Sequence, residues 1–375
     1  SPCESRTLPG ILIRKPFPVI LEMVFFCLQK PLNYNRLRFF YNKEENYMKA
    51  AWFDQFGSAD EVIKISEQET PSVGKEDVLI QLSTSGVNPS DVKKRSGAFP
   101  NLLADGFVIP HSDGAGQVVA VGDGVSKERI NERVWVYQAQ FERRFGTAAE
   151  FLSINENRAI PLPKNITYEE GACLGIPAMT AHRCVFSDGN VNDKYILVTG
   201  GAGRVGSYAI QWAKLAGAIV IATASNDEDK KTCYELGAEI VVNHSDKDWD
   251  ETLLKATGQR KIDRVIDVDF GMNLPKLLTF LKIGATIATY ASSQIPRPEL
   301  PFLQMMYMDL SIRMVIVYAM PESAKYEAIK DITAALKNNR LQHKIACSLD
   351  FNNIQKGHKL IESGKIRGCV VLNLS

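Results

Sequence analysis

Two short stretches of the sequence hold residue types able to do chemistry. In "IPHSDGAG" (109–116), His111 and Asp113 share a glycine-rich turn. Adjacent imidazole and carboxylate groups suit metal ligation, proton transfer or merely a polar turn edge, and adjacency alone does not choose among them. In "TGGAGRVG" (199–206), Gly201, Gly203 and Gly206 form G-x-G-x-x-G. That spacing gives a tight turn followed by backbone N–H groups at the positive end of a helix, where a pyrophosphate is held. Val205 belongs to the same loop, and Arg204 either reaches toward phosphate or faces solvent.

A dinucleotide's ribose sits at the end of the second strand, where NAD-specific sites place Asp or Glu. Here that slot is Ser225, with Lys230 and Lys231 following, a set suited to a 2′-phosphate. The expectation is NADPH over NADH. Asp227, Glu228 and Asp229 argue the other way if they point inward. Tyr290, Ser292 and Ser293 follow the fifth strand, at the crevice where such sheets bind ligands.

These residues need a scaffold. "YILVTG" (195–200), "IVIAT" (219–223), "EIVVN" (239–243), "RVIDV" (264–268), "ATIATY" (285–290) and "RMVIVY" (313–318) are continuous apolar runs separated by helical patterns. Such runs mark a parallel sheet covered on both faces, the doubly wound Rossmann type of α/β domain. The first helix, "RVGSYAIQWAKLAGA", puts Val205, Ala209, Trp212, Ala213 and Ala216 on one face. Upstream, "DVLIQLSTSGV", "GQVVAVGDGV", "ERVWVYQ" and "GTAAEFLSI" are short strands broken by glycine turns, the texture of an irregular β-rich domain. The tail, with two helical stretches and a final strand "GCVVLNL", returns to that domain. The expected division is 48–178 with 319–375 as the β-rich catalytic domain and 179–318 as the dinucleotide-binding domain.

Bulk properties narrow the function. The chain has 375 residues, 45% hydrophobic and 23% charged, with net charge +1. No general field draws it to nucleic acid or an anionic membrane. Its seven cysteines, Cys3, Cys27, Cys173, Cys184, Cys233, Cys347 and Cys369, include no C-x-x-C pair, so a structural zinc lobe is not expected. Scattered cysteines of this kind point to reduced thiols and a cytoplasmic location. Residues 1–47 carry an apolar run shorter than the ~20 residues of a membrane span. They are set aside as an N-terminal extension of unknown role.

Four ordered motifs, "GVNPSDVKKRSG" (86–97), "IPHSDGAGQVVAVGDGV" (109–125), "GACLGIPAMTAHR" (171–183) and "GGAGRVG" (200–206), give the chain from Met48 onward a family likeness. It resembles the medium-chain dehydrogenase/reductase superfamily, and within it the zinc-free, zeta-crystallin-like NADPH:quinone oxidoreductases. The resemblance implies a GroES-like β-rich catalytic domain joined to the Rossmann domain, and commonly a homodimer. Zinc-dependent members place ligands at the slots held here by Asn88, Ser112 and Ile176. These side chains supply neither thiolate nor imidazole, so no metal is expected and His111 is read as a turn residue near the cleft.

The same resemblance implies roles. Asn88 and Lys93 are the catalytic candidates: Asn88 on the floor of the nicotinamide cleft, Lys93 near the cofactor and able to stabilise an anionic product. Both also count among the cofactor contacts, together with Thr180 and, at the adenosine end, His244. The expected activity is NADPH-dependent, metal-independent hydride transfer to a small-molecule quinone or related conjugated carbonyl. An alkenal or enone double-bond reductase is the near alternative, and a non-catalytic NADPH-binding sensor or structural protein the distant one.

Overall fold

The computed structural model of the protein describes residues 47–374. Of the N-terminal extension, all but Tyr47 lies outside the described residues. Fifteen strands are described: β1 (Tyr47–Trp52), β2 (Lys64–Glu69), β3 (Asp77–Val87), β4 (Asp113–Val121), β5 (Arg133–Val136), β6 (Phe151–Asn155), β7 (Ala159–Pro161), β8 (Tyr195–Val198), β9 (Ile219–Ala224), β10 (Ile240–Asn243), β11 (Ile262–Asp267), β12 (Leu281–Thr289), β13 (Ser311–Met314), β14 (Ile345–Asp350) and β15 (Cys369–Asn373).

The glycine loop belongs to a six-stranded sheet of order β10-β9-β8-β11-β12-β13, parallel throughout. This is the doubly wound order, with the topological switch between β8 and β11. Alternation along the strands builds two cores. Ile196, Val198, Val220, Ala222 and Ile266 meet Ala209, Ile210 and Ala213 on one face. Leu197, Ile221, Val265 and Ile287 meet Trp249, Leu253, Leu277 and Phe280 on the other. Both faces are covered, which is why the strands read as continuous apolar runs.

The helix Arg204–Leu215 starts at Gly203, in extended backbone, and stops before Gly217, whose φ of +79° provides a left-handed cap. Its burial is wider than the expected stripe: Tyr208 and Gln211 are buried too, while Val205 and Ala216 are only partly covered. The last expected strand also shifts, from 313–318 to Ser311–Met314. Val315 N still bonds Thr289 O at 2.8 Å, after which the chain leaves the sheet in a turn at Val317–Ala319. Val315 and Val317 are buried in the core and also wall a cleft, so their apolar character does not require a continued strand.

The second large sheet runs β14-β15-β3-β4-β5-β7, with β6 also on β3. The long β3 is its spine. Strand β15 pairs antiparallel with it, Val371 opposite Gly86, so the chain's last segment sits beside the residues that lead into Asn88. Between the sheets in sequence, helix Glu322–Lys337 buries Ala328, Ile332 and Leu336 in the core that contains Trp212 and Met179.

Candidate active site

Asn88 caps the helix Pro89–Arg95 directly after β3, and Pro89 suits the first helical position. Its backbone N–H donates to Asp91 Oδ2 at 2.8 Å. Its side-chain Nδ2 donates to Asp113 Oδ2 at 2.9 Å, and the same oxygen accepts the Ile176 N–H at 2.8 Å. Asp113 thus ties Asn88 to the segment Leu174–Ala178, whose Ile176 and Pro177 form part of the cleft wall. Gly175 has to be glycine at this point: a Cβ there would lie 2.1 Å from Asp113 Oδ1.

The cleft has a volume of about 470 Å³ and draws on distant parts of the chain. Asn88, Ser90 and Lys93 line it from the β-rich side, Thr180 from the helix Met179–Phe186, and Gly203, Arg204 and Val205 from the glycine loop. Tyr290 follows β12, and Val317, Tyr318 and Arg367 complete the wall. Of the residues expected from sequence, the fold therefore gathers Asn88, Lys93, Thr180, Gly203, Arg204, Val205, Tyr290 and Ser293.

Gly201 and Gly206 do not line the cleft. A Cβ on Gly201 would strike Cys233, Ala222 and Ile210 at 2.8–2.9 Å, and one on Gly206 would lie 2.3 Å from Gly200 O. Both permit close packing of loop, helix and strand. Gly203 is different, since a Cβ there would approach only Gly200 O, at 3.1 Å. It keeps a path open to the N–H groups of the helix's first turn, which have no partners within the helix. Arg204 neither stands in bulk water nor finds a full set of partners: it is partly buried on the cleft wall and its buried Nη1 makes no hydrogen bond. An open cradle, a helix N-terminus and an unsatisfied guanidinium suit the pyrophosphate of a dinucleotide.

Ser225, Lys230 and His244 stand apart from this cleft, beyond the second strand. Ser225 Oγ lies 3.4 Å from Asp229 Oδ2, and Lys230 is exposed on the following helix, Asp227–Glu235. His244 is exposed after β10, its N–H bonded to Ala224 O. Ser292 falls in an adjoining groove, where its hydroxyl accepts the Gly271 N–H and donates to Ile295 O. That hydroxyl is occupied in holding the loop.

Residues absent from the sequence reading prove central. Tyr318 OH donates to Ser90 Oγ at 3.1 Å and bonds Ser112 Oγ at 3.0 Å. Phe141 stacks on its ring, and Lys94 Nζ lies over it, 4.6 Å from the centroid. Behind the cleft, burial pushes the Asp91 carboxyl up to about 6 and Asp113 up to about 8. Burial also lowers the Lys94 ammonium to about 8, against the pull of Asp91 and Asp113.

His111 adopts φ +76°, as its turn requires, but is fully buried. Its Nδ1 bonds Ser85 Oγ at 2.8 Å and its Nε2 lies 3.0 Å from His358 Nε2. Burial, then Lys94, drives its pKa down to about 3, so it is a neutral packing residue.

Comparison with known proteins identifies relatives of the chain. The family "Alcohol dehydrogenase GroES-like domain" matches residues 74–164, and "Zinc-binding dehydrogenase" matches residues 205–334. The quinone oxidoreductase of Rattus norvegicus is 33% identical over 245 residues, 65% of this chain and 73% of the relative. The 2-methylene-furan-3-one reductase of Solanum lycopersicum is 31% identical over 209 residues, 54% of each chain. Among solved structures, an NAD-dependent alcohol dehydrogenase aligns with TM-score 0.78 and 26% identity, over 88% of this chain and 100% of the other. A crotonyl-CoA carboxylase/reductase in complex with NADP, 19% identical, shares the fold with TM-score 0.78 over 88% and 95% of the two chains.

The zinc implied by one family's description does not fit this chain. The three ligand slots hold Asn88 and Ser112, whose side chains are bonded to Asp113 and Tyr318, and Ile176, which has no donor atom. Among the described residues no cluster of three or more His, Cys, Asp or Glu could hold a metal ion.

Proposed function

The chain belongs to the medium-chain dehydrogenase/reductase superfamily and is an oxidoreductase, and on that premise we propose that it reduces quinones or related conjugated carbonyls with NADPH and without a metal. One observation carries this reading. The open start of the glycine-loop helix, at Gly203–Val205, faces the same cleft as Asn88, Thr180 and Tyr290. A cofactor whose pyrophosphate lay on that helix end would be held with its nicotinamide toward those side chains.

The nicotinamide supplies the hydride. The protein's share is alignment and charge. Arg204 and the loop N–H groups would hold the pyrophosphate, while Asn88, fixed by Asp113, and Thr180 would orient the nicotinamide toward the acceptor. Quinones and enones already accept hydride well and delocalise the resulting charge, so donors can take the place of a Lewis acid. The Ser90 hydroxyl, oriented by Tyr318, and the Lys93 ammonium are the donors this cleft offers to the developing oxygen anion. In this reading residues 48–178 and 319–375 form the catalytic half and residues 179–318 the cofactor half.

An enone double-bond reductase is the second reading, supported by the likeness to the tomato enzyme. Both use the same cofactor and cleft. Loss of reduced-nicotinamide absorbance with a panel of ortho- and para-quinones and alkenals separates them. Turnover of quinones supports the first reading, turnover of alkenals alone moves the assignment to the second, and NADPH binding without any turnover overturns both.

We also propose a homodimer formed through the cofactor half. Strand β13 is a sheet edge, and Phe302, Leu303, Met306 and Tyr307 expose apolar surface beside it. Light scattering that gave a strict monomer would remove this proposal.

A further inference from the structure

Resting on the NADPH reading, we infer that Arg367 distinguishes NADPH from NADH, and that Asp229 holds Arg367 in position until the cofactor arrives. Three donors converge on one carboxylate oxygen. Asp229 Oδ2 accepts from Asn226 Nδ2 at 2.9 Å and Arg367 Nε at 3.2 Å, with Ser225 Oγ at 3.4 Å. The cluster sits at the end of β9, where the 2′ substituent of a dinucleotide's ribose lies. His244 is within electrostatic reach of both Asp229 and Arg367.

Two features separate this cluster from an ordinary helix start. Asn226 already caps the helix, accepting the Asp229 N–H at 2.8 Å and returning its own Nδ2, so the local motif is complete without an arginine. Arg367 nonetheless reaches in from just before β15, 138 positions along the chain, and is also a cleft-wall residue. Its side chain is 38% exposed, whereas that of Asp229 is 7% exposed. Apart from Asp229 and Gly364 O, its guanidinium makes no hydrogen bond among the described residues.

Hydroxyl, amide and guanidinium donors around a buried anion are what a tetrahedral phosphate needs. Asp229 stands in for that phosphate. A 2′-phosphate arriving beside Ser225 meets a like charge in Asp229 and an opposite charge in Arg367, so binding transfers Arg367 from carboxylate to phosphate. The 2′-hydroxyl of NADH has no charge with which to recruit it.

The test is calorimetric titration of the full-length protein and its variants with NADPH, NADH and 2′,5′-ADP. Arg367→Gln is expected to weaken NADPH and 2′,5′-ADP roughly tenfold or more while NADH changes less than about twofold. Asp229→Asn, which keeps Arg367, is expected to tighten NADPH several-fold, on the order of the loss of one nearby like charge. Equal weakening of both dinucleotides by Arg367→Gln would make Arg367 a mere clamp and overturn the inference. Selective loss of NADH by Asp229→Asn would overturn it too, since Asp229 would then be the acceptor for the ribose hydroxyl. Wild-type protein that binds both dinucleotides equally refutes only this inference, whereas binding of neither refutes the hydride-transfer reading as well. Unfolding midpoints of both variants close to wild type exclude misfolding as the cause.

Discussion

Asn88 Nδ2 lies 2.9 Å from Asp113 Oδ2, and this bond couples the cleft floor to a carboxyl buried beneath it. The other oxygen of Asp113 has no partner and no water-accessible surface. A fully buried carboxyl with one orphaned oxygen is more stable with a proton on it, which is the physical content of its raised pKa.

The sign of the resulting pH dependence follows from linkage. Asp113 is raised from 3.8 to about 8, mainly by burial, and Asp91 moves the same way to about 6. A raised acid contributes stability that is complete below its unfolded value and is lost as pH rises through its folded value. Lys94 is lowered from 10.5 to about 8, so its contribution is lost as pH falls through about 8. Below pH 6.5 the buried histidines, His111 and His358 above all, are held under their ordinary value and act in the opposite sense. The carboxyl effect therefore stands clear between about pH 6.5 and 8, where denaturant-unfolding stability is expected to fall as pH rises. Asp113→Asn, uncharged and of the same shape, should flatten this slope. An unchanged slope in the variant would assign the effect to other groups.

Much of the fold was legible because its signals are local. Continuous apolar strands, the glycine loop and Gly217 as a helix stop depend on residues within a few positions of one another. The cleft was legible only where single segments enter it. Tyr318 reaches Ser90 across 228 positions and Arg367 reaches Asp229 across 138, and such pairings are fixed by sheet register rather than by any local pattern. The apolar run 313–318 reads as one strand for a related reason, although the strand is Ser311–Met314. Arg313 and Met314 pair in a sheet while Val315–Tyr318 wall a cleft, and a buried cleft wall favours the same apolar residue types as a sheet interior. Ser112 was noted as a lost ligand slot, yet its gained partner, Tyr318, lies 206 positions away.

Tyr318 acts on the acceptor through Ser90 and is therefore a positioning residue in the proposed reaction. Removing its hydroxyl in Tyr318→Phe leaves the ring stacked on Phe141 but frees both Ser90 and Ser112. The expected outcome is a roughly tenfold fall in kcat, smaller than the roughly 10²–10³ for direct removal of an oxyanion donor because Ser90 itself remains, with the KM for NADPH unchanged. Steady-state kinetics with a para-quinone check this. A rise in the KM for NADPH at constant kcat would show that Tyr318 shapes the cofactor site instead.

Ser225→Asp would add a second carboxylate beside Asp229, at the position that NAD-specific sites reserve for an acid. Repulsion of the 2′-phosphate and a new acceptor for the ribose hydroxyl act in the same direction. The ratio of kcat/KM for NADPH over NADH is expected to fall by at least roughly tenfold, the equivalent of one lost charged hydrogen bond. Competitive assays with both cofactors measure it directly. A ratio that stays constant would place the 2′ group elsewhere in the fold.

Metal removal gives the remaining prediction, and it follows from the donor set. Asn88 and Ser112 stand in ligand slots, but their side chains are already bonded to Asp113 and Tyr318, and Ile176 offers only a backbone N–H, which Asp113 accepts. Recruiting an ion there would break the Asn88–Asp113 and Ser112–Tyr318 bonds and leave Asp113 with the Ile176 N–H alone, at a cost of roughly 1–3 kcal/mol for each group left unsatisfied. Prolonged dialysis against EDTA or 1,10-phenanthroline is therefore expected to leave quinone-dependent NADPH oxidation within about twofold of the untreated protein, since these side chains do not suit a catalytic ion. Elemental analysis of the same sample provides the control. Activity that disappears on chelation and returns with stoichiometric zinc would mean that Asn88 and Ser112 rearrange around an ion, and the role assigned to the Tyr318–Ser90 pair would pass to the metal.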